Sequence, residues 1–413
     1  MNPSRSKAAS MPTSAAPAAL QRRRDYAGPA LLAYGFRPFF LAAGVWAALA
    51  ILFWVPLYTG QLTADIGFSP LDWHVHEMLY GYVAATVAGF LLTAIPNWTG
   101  RLPVSGWPLG LLALLWFAGR VAVLSSGKIG GITAAAIDVS FLATLGAVAA
   151  REIIAGKNWR NLRVLIVLGV LIAGNVVFHA EVLTKGAADY GIRLAVSSVM
   201  LLIMLIGGRI VPSFTNNWLA RNNPGRLPVP FSRFDAVALA ASALALIAWI
   251  ALPAHVVTGA LLVLAGVLQA VRLARWAGDR TFADRLVLVL HVAYIFVPLG
   301  FLLLGASTLS SEVPPSAGIH AWTAGAIGMM TLAVMTRATL GHTGQPLQAS
   351  PMTQGIYALV FISALLRIVA AFTGSIVLIE FAGFLWVAAF ICFVLLYGPL
   401  LARRKPAWAE ARC

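Results

Sequence analysis

The sequence predicts an all-α polytopic membrane protein with about twelve transmembrane helices. Of its 413 residues, 60% are hydrophobic and only 10% are charged, and the mean hydropathy is +0.85, which lies outside the range of soluble globular proteins. Apolar runs long enough to cross a bilayer recur along the chain. The basic residues fall in alternate loops between these runs, as expected when every second loop lies in the cytoplasm.

The twelve predicted spans follow one another with short polar loops between them. Each is about 20 residues long, the length at which a helix rising about 1.5 Å per residue crosses the hydrocarbon core. We place them at about residues 39–58, 75–96, 107–124, 129–150, 162–183, 190–212, 234–252, 255–275, 285–306, 318–340, 355–373 and 376–401.

Two polar segments flank the transmembrane domain, which we assign to residues 31–402. Residues 1–30 are rich in Ala, Ser and Pro and contain three consecutive arginines at 22–24, a composition typical of a disordered tail. They lack the apolar core of a cleavable signal peptide, so we expect the first span to serve as an uncleaved anchor. Residues 403–413 form the second tail, and we expect both tails to lie in the cytoplasm.

The net charge of +15 indicates orientation in the membrane rather than binding to nucleic acid. The loops on one side carry only Lys128, Lys185 and Arg193, and the loop before His74 has no basic residue. That side is therefore predicted to be the outer one. The basic residues on the opposite, cytoplasmic side are Arg151, Lys157, Arg160, Arg163, Arg221, Arg226, Arg233, Arg272, Arg275, Arg280, Arg285, Arg403, Arg404 and Lys405.

The cysteines exclude two kinds of site. Cys392 lies inside an apolar run and Cys413 is the last residue, so we expect neither a disulfide framework nor a thiolate metal site. The chain also lacks a C-x-x-C-H motif, so any haem would be bound non-covalently.

The stretch 72–100 combines polar side chains with a long apolar run. His74, His76 and Glu77 precede an uncharged run at 78–96, which places them near the outer membrane face. On a continuous helix the two imidazoles point about 200° apart and meet different partners, whereas an unwound start would aim both the same way. Either arrangement suits a metal site, and a polar cap at the membrane surface is the alternative.

A repeat relates the second and tenth spans. His76 and His320 are each followed after 5 positions by glycine and after 23 by a Thr-Gly pair. In the sixth span, Pro212 and Thr215 repeat the spacing of the Pro and Thr that end the second span, although Ile192 takes the place of the histidine. This spacing suggests three units of four helices, and membrane repeats usually place their sites at the interfaces between units.

The remaining histidines fall at two depths. His179, followed by Glu181, lies near the outer end of the fifth span, and His320 begins the tenth span on the same side. His291 and His342 lie toward the cytoplasm and are candidates for a second site. Ionisable side chains inside a membrane are unfavourable unless paired, so they are functional candidates. Neutral imidazoles around one cavity suit haem iron or copper, while hydrogen bonding in the core is the alternative.

Two arginines, Arg120 and Arg367, occupy corresponding places in the third and eleventh spans and need anionic partners. Haem propionates would pair well with guanidinium groups, and the protein carboxylates Asp138 and Glu380 are the alternative partners. Together with Glu77 these are among the few carboxylates in or at the spans. Magnesium and calcium, which prefer several carboxylate ligands, are therefore not expected.

Several motifs in this sequence resemble those of the NnrS family. They are GFRPFF at 35–40, WHVHEMLYGY at 73–82, GFLLTAIPNWTG at 89–100, GGRIVPSFTNNW at 207–218 and LAVMTRATLGHTG at 332–344. The resemblance covers about residues 34–400. It implies a twelve-helix protein of the bacterial inner membrane that contains haem and copper and takes part in denitrification and the response to nitric oxide or nitrosative stress.

Within this resemblance we assign the outer histidines to two cofactors. We expect a b-type haem with two axial imidazoles and two arginines on its propionates, and a copper ion whose imidazole ligands are oriented by glutamates. The haem residues are His76, His320, Arg120 and Arg367. The copper residues are His74 and His179, with Glu77 and Glu181 as the orienting carboxylates.

The layout also resembles the catalytic subunit of haem-copper oxidases and nitric oxide reductases. That likeness is one of architecture only, because no histidine occurs in the sixth or seventh predicted span, where those enzymes hold copper or non-haem iron. Reduction of nitric oxide or oxygen by that mechanism is therefore not assigned, and whether the protein is an enzyme stays open.

Three function classes fit the sequence, all of them in a lipid bilayer and without a nucleic-acid partner. The first is a haem and copper protein that binds or reacts with nitric oxide or a related small molecule, with quinol as a candidate electron donor. The second is a transporter, since twelve helices, internal repeats and buried charges are common in transporters. The third is a sensor or assembly factor that binds haem or copper without turnover, although the chain shows no sizeable soluble domain to pass on a signal.

Overall fold

The computed structural model of the protein describes residues 26–403. Of the two predicted tails, residues 1–25 and 404–413 lie outside this part. The described residues form helices and connecting loops, without a strand, and 12 of the helices are long and apolar enough to cross a membrane. The prediction of an all-α fold with twelve candidate spans is confirmed.

The helices follow the predicted spans closely. The largest difference is at the end of α6, where polar residues continue the helix beyond its apolar run to Asn222. The twelve helices are α1 (Phe36–Tyr58), α2 (Pro70–Thr99), α3 (Trp107–Leu124), α4 (Gly131–Ala155), α5 (Trp159–Lys185), α6 (Tyr190–Asn222), α7 (Arg233–Ala251), α8 (Val256–Arg280), α9 (Arg285–Ser307), α10 (Pro315–Thr343), α11 (Pro351–Thr373) and α12 (Ile376–Ala402).

Helix α2 begins before its histidines, so the structure has the continuous helix rather than an unwound start. Ser69 is the N-cap, and its hydroxyl accepts a hydrogen bond from the backbone N–H of Asp72 at 3.1 Å, while Pro70 takes the first helical position. Helical geometry then continues past His74 and His76. The two imidazoles consequently face different sides of α2 and meet different partners.

Helices α2 and α10 share an unusual backbone feature. Each contains a π-helical segment, Glu77–Val83 in α2 and Ala321–Ile327 in α10, which begins at the residue after the repeated histidine. Each helix also ends at the threonine of the repeat, with a left-handed glycine, Gly100 or Gly344, as its C-cap. Helix α6 also has a π segment, at Ile203–Gly207, but later than the repeat spacing requires. The likeness is therefore closest between α2 and α10.

Glycines at equivalent positions of α2 and α10 allow close packing of aromatic side chains. A Cβ added at Gly81 would lie 2.6 Å from the indole nitrogen of Trp46 on α1, and one at Gly325 would overlap the ring of Phe296 on α9. In each case the preceding helix, α1 or α9, packs an aromatic ring against the π segment of α2 or α10. The aromatic ring occupies the side of α2 or α10 that carries the glycine.

Helix α2 has the largest buried share of the twelve candidate spans. One of its sides packs against α3, α4 and α5 around a cluster of charged residues, and the other lines a cavity formed with α1, α6, α10, α11 and α12. Both candidate sites described below therefore share α2.

The substitutions Gly81→Val and Gly325→Val should each destabilise the protein, because the added methyl groups would overlap Trp46 or Phe296. We expect a loss of about 1–3 kcal/mol, measured as a lower midpoint of thermal unfolding in detergent. Gly355→Val is the matched control, since Gly355 lies in α11 with open space where its Cβ would be. An equal effect at Gly355 would contradict this account of the packing.

Candidate metal centre and adjoining cavity

A cluster of charged and polar side chains lies in the interior between α2, α3, α4 and α5. Every member is at most 3% exposed, although the surrounding segments are apolar. Ionisable groups at such positions are rare in membrane proteins and are usually paired or functional. The members are His76 and Glu77 from α2, Arg120 from α3, Asp138 from α4, and Asn175 and His179 from α5.

Three atoms of this cluster converge on one point. His76 Nε2 and His179 Nε2 lie 3.2 Å apart, and each lies 3.1 Å from Asp138 Oδ2. Ligand atoms around a tetrahedral ion with bonds of about 2.0–2.1 Å are roughly 3.3 Å apart. These three residues are also the one group of potential ligands in the described part of the chain that meets the distance requirement for a metal site.

The hydrogen bonding of His76 requires a positive charge near these three atoms. Glu77 Oε1 lies 3.0 Å from His76 Nδ1, and because an ionised carboxylate only accepts, Nδ1 must carry the hydrogen. In the neutral imidazole, Nε2 then presents a lone pair to Asp138 Oδ2, and two acceptors at that distance repel each other. Either a proton on Nε2 or a metal ion bound between the two atoms removes the repulsion.

Arg120 neutralises only part of the negative charge of the cluster. Its Nη1 donates to both oxygens of Glu77 at 2.7 Å, and its Nη2 donates to Asp138 Oδ1. With neutral histidines, two carboxylates and one guanidinium leave the cluster with one net negative charge. A buried cluster of that charge favours a bound cation.

Asp138 is oriented by contacts on both of its oxygens. Oδ1 accepts from Arg120, while Oδ2 accepts from Asn175 Nδ2 at 2.9 Å and faces the two imidazoles. Phe68 and Phe178 pack their rings against His76, with centroid distances of 5.5 and 5.3 Å. The cluster thus has a polar centre and aromatic walls, the environment in which a bound ion is shielded from water.

The other side of α2 lines an apolar cavity of about 290 Å³. Most of its walls are aliphatic or aromatic, and they come from α1, α2, α6, α10, α11 and α12. The ionisable residues that line it are His74, His320 and Arg367, and His320 and Arg367 are close enough to act electrostatically on His74. A large apolar cavity with a few convergent polar groups is the usual form of a cofactor site.

The two histidines of the cavity have nitrogen atoms that no protein group uses. His320 Nδ1 donates to the backbone carbonyl of Ser316 at 2.7 Å, which fixes the tautomer and leaves the Nε2 lone pair free. His74 stacks on Trp54, with ring centroids 4.0 Å apart, and its buried Nδ1 has no hydrogen-bond partner. Unused imidazole nitrogens beside an apolar cavity suit ligation of a metal cofactor.

Arg367 makes no hydrogen bond or ion pair with another described residue, and Glu380 likewise makes none. Glu380 is therefore not the anionic partner of Arg367 in this structure, and that alternative is wrong. A guanidinium without a protein anion at the edge of an apolar cavity is suited to an anionic group on a bound molecule.

The structure groups the outer histidines differently from the sequence-based assignment. His76 lies with His179 rather than with His320, and His74 lies with His320 rather than with His179. A continuous α2 puts the two histidines on opposite sides, as the assignment required. The partners are exchanged because α5 covers the side with His76 and α10 covers the side with His74. Arg120 binds Asp138, one of the two alternative partners, and also Glu77, which was not considered as a partner. It does not line the cavity with Arg367.

Several other candidate residues have structural roles of their own. Glu77 contacts His76 as an orienting carboxylate would, whereas Glu181 accepts from the backbone N–H groups of Asp189 and Gly191 and so holds the start of α6. His291 Nε2 lies 2.8 Å from the hydroxyl of Thr215. The ring of His342 packs against Tyr34 and Phe36.

In the sequence analysis Asp138 is only an alternative partner of a buried arginine, not a metal ligand, and Asn175 is not named. A signal for Asp138 was present, because Arg120 and Asp138 are opposite charges on consecutive apolar spans, which usually pack side by side. Asn175 lies one helical turn before His179, on the same face of α5. That spacing could have indicated a shared site.

The substitution Arg120→Met should strongly destabilise the protein, because it leaves Glu77 and Asp138 buried with uncompensated charge. Loss of one partner from a buried ion pair typically amounts to about 3–5 kcal/mol. The midpoint of thermal unfolding in detergent measures it. Arg101→Met is the control, since Arg101 pairs with Glu152 but is 44% exposed, and it should change stability by less than about 1 kcal/mol.

The amino-acid sequence matches the profile of one known protein family. The sequence profile described as NnrS protein matches residues 30–405, nearly the whole chain. A search of curated proteins gave no significant match. The match spans all twelve helices and includes every residue of the cluster and the cavity. The protein belongs to the NnrS family.

Proposed function

We propose that this protein binds haem b and copper in the bacterial inner membrane and takes part in the response to nitric oxide and nitrosative stress that accompanies denitrification. The observation that carries the proposal is the pair of sites on opposite sides of α2. One site has a buried imidazole–carboxylate–imidazole group, and the other is an apolar cavity with two unused imidazoles. Membership of the NnrS family supports the link to nitric oxide.

The orientation in the membrane follows from the basic residues. They concentrate in loops on one side, so both termini and that side lie in the cytoplasm. The cluster and the cavity belong to the outer halves of their helices. We accordingly assign a multi-pass protein of the inner membrane whose cofactors lie toward the outer side.

Copper would be held by His76, His179 and Asp138. Two imidazoles and a carboxylate suit copper, zinc or iron, and copper supplies one-electron redox chemistry when bound. Glu77 keeps the hydrogen on Nδ1 of His76, so that Nε2 is available to the ion. Arg120 holds both carboxylates in place, and Asn175 restrains the oxygen of Asp138 that faces the ion.

Haem would be held in the cavity by His74 and His320. Ser316 fixes the His320 tautomer that leaves Nε2 free, and Arg367 supplies a cation for a propionate. The aliphatic and aromatic walls exclude water from the site and present surface for a flat macrocycle. Relative to the sequence-based assignment, His74 and His76 have exchanged cofactors, and Arg367 alone remains a propionate partner.

Nitric oxide, or a related small molecule, suits these surroundings because a small uncharged gas enters apolar protein interiors without loss of hydrogen bonds. Binding, redox turnover with a donor such as quinol, and sensing all use the same two sites. A transport path has less support, because Arg120 and Asp138 are bound to each other rather than free to line a channel. Arg367, which has no such partner, lies at the cavity that we assign to haem.

The first test is the absorption spectrum of purified protein with and without nitric oxide. We expect a b-type spectrum that nitric oxide changes. His74→Ala and His320→Ala should each lower the haem content by at least about tenfold, the usual scale for loss of a metal ligand or its support, while copper content stays at the wild-type level. His255→Ala is the control, since His255 caps α8 in an exposed loop.

The second test is the metal content of variants of the cluster. His179→Ala and Asp138→Asn should lower copper affinity by about 10–100-fold and leave haem content unchanged, as measured by metal analysis after dialysis against defined free copper. Asn175→Ala should have a smaller effect, because its amide only restrains Asp138. If His76→Ala instead loses haem and keeps copper, His76 would be a haem ligand together with His320, and the assignment of His76 to copper would be wrong.

A further inference from the structure

A second large cavity lies on the side of the protein that carries the arginine-rich loops. Its volume is about 640 Å³. The start of α5, the later part of α6, the α6–α7 loop, the start of α7 and the end of α8 form its walls. These segments are distant in sequence from the motifs around His74 and His76, and neither the cluster nor the apolar cavity includes any of them.

Three arginines line this cavity without a carboxylate to neutralise them. Arg160 and Arg163 make no hydrogen bond or ion pair with another described residue, and Arg209 donates from Nη1 to the side-chain oxygen of Asn161 at 3.1 Å. The charges of Arg160 and Arg163 act directly on Arg209. Three like charges held near one cavity repel one another, and an anion between them relieves the repulsion.

The one carboxylate that lines the cavity is already occupied. Asp235 accepts from Arg272 Nε at 3.1 Å and from the backbone N–H of Ser232 at 2.9 Å, and Arg275 Nη2 lies 3.5 Å away. Arg272 is itself 1% exposed and donates to the backbone of Met204. Asp235 therefore serves the structure of α7 and α8 and leaves the charge of the three arginines unbalanced.

The remaining walls are apolar. Leu205 and Pro212 of α6, Val229 and Phe231 of the α6–α7 loop, and Leu239 of α7 are among the lining residues. The cavity thus has a cationic part near the membrane surface and an apolar part beside it. This arrangement matches a phosphate group that carries a hydrocarbon portion.

We propose that this cavity is a binding site for a phosphate group, held by Arg160, Arg163 and Arg209. Guanidinium groups bind phosphate oxygens in bidentate fashion, and several together suit a group with two or more charged oxygens. Basic pockets between transmembrane helices on this side of a membrane commonly take anionic lipid head groups. The phosphate is that of an anionic phospholipid or of a soluble phosphate compound, and the site is independent of the haem and copper assignment.

The test compares two matched pairs of substitutions in the full-length protein in neutral detergent. Arg163→Gln/Arg209→Gln removes two exposed cavity arginines, and Arg221→Gln/Arg285→Gln removes two exposed arginines on the same face outside the cavity. The probes are phosphatidylglycerol in mixed micelles and inorganic phosphate at constant ionic strength, with phosphatidylcholine as the blank. Calorimetric titration gives the dissociation constant, and the thermal unfolding midpoint without probe checks the fold.

We expect saturable binding that the cavity pair weakens at least tenfold and the outside pair by less than twofold. Arg163→Lys/Arg209→Lys, which keeps the charge, should bind better than the glutamine pair. Saturation by phosphatidylglycerol alone would identify a lipid head group, and saturation by inorganic phosphate as well would identify a soluble phosphate compound. Equal weakening by the two glutamine pairs, or no saturable binding of either probe, would overturn the proposal.

Discussion

The buried contact between Arg120 and the carboxylates of Glu77 and Asp138 is the interaction on which the outer half of the protein depends. Two carboxylates inside a low-dielectric interior are tolerable only when a cation lies against them. Arg120 joins α3 to both α2 and α4 through Glu77 and Oδ1 of Asp138, and His179 adds α5 through the other oxygen of Asp138, Oδ2. These contacts hold α2, α3, α4 and α5 together. They also position His76, which contacts both Glu77 and Asp138.

The charge balance of this contact is complete only with one more positive charge. Arg120 carries one positive charge against two negative ones, and with a neutral His76 a lone pair of its Nε2 points at Asp138 Oδ2. A proton on that nitrogen or a bound cation supplies the missing charge. A metal ion suits the arrangement, because it requires ligands that are deprotonated, close together and held by neighbouring groups.

Much of the architecture could be predicted from the sequence, because hydropathy and loop charge depend on local composition. The twelve spans and the likeness of α2 to α10 are of this kind. The pairing of histidines could not be predicted, since the period of a helix shows which residues share a face but not which helix will cover it. His74 and His76 lie near one end of a span, as predicted, but for that reason the structure groups each of them with a different histidine from the one expected. Glu181 shows the same limit, because its role as a cap depends on the path of a loop.

The continuous backbone between His74 and His76 has a thermodynamic consequence. Only one residue separates the two side chains, so a ligand that shifts or restrains α2 at one site acts on the geometry of the other. Linkage then makes the effect reciprocal: the factor by which occupancy of the first site changes affinity at the second is the factor by which the second changes the first. When α2 does not move on binding, that factor is close to one, and the proposed haem and copper sites then load independently.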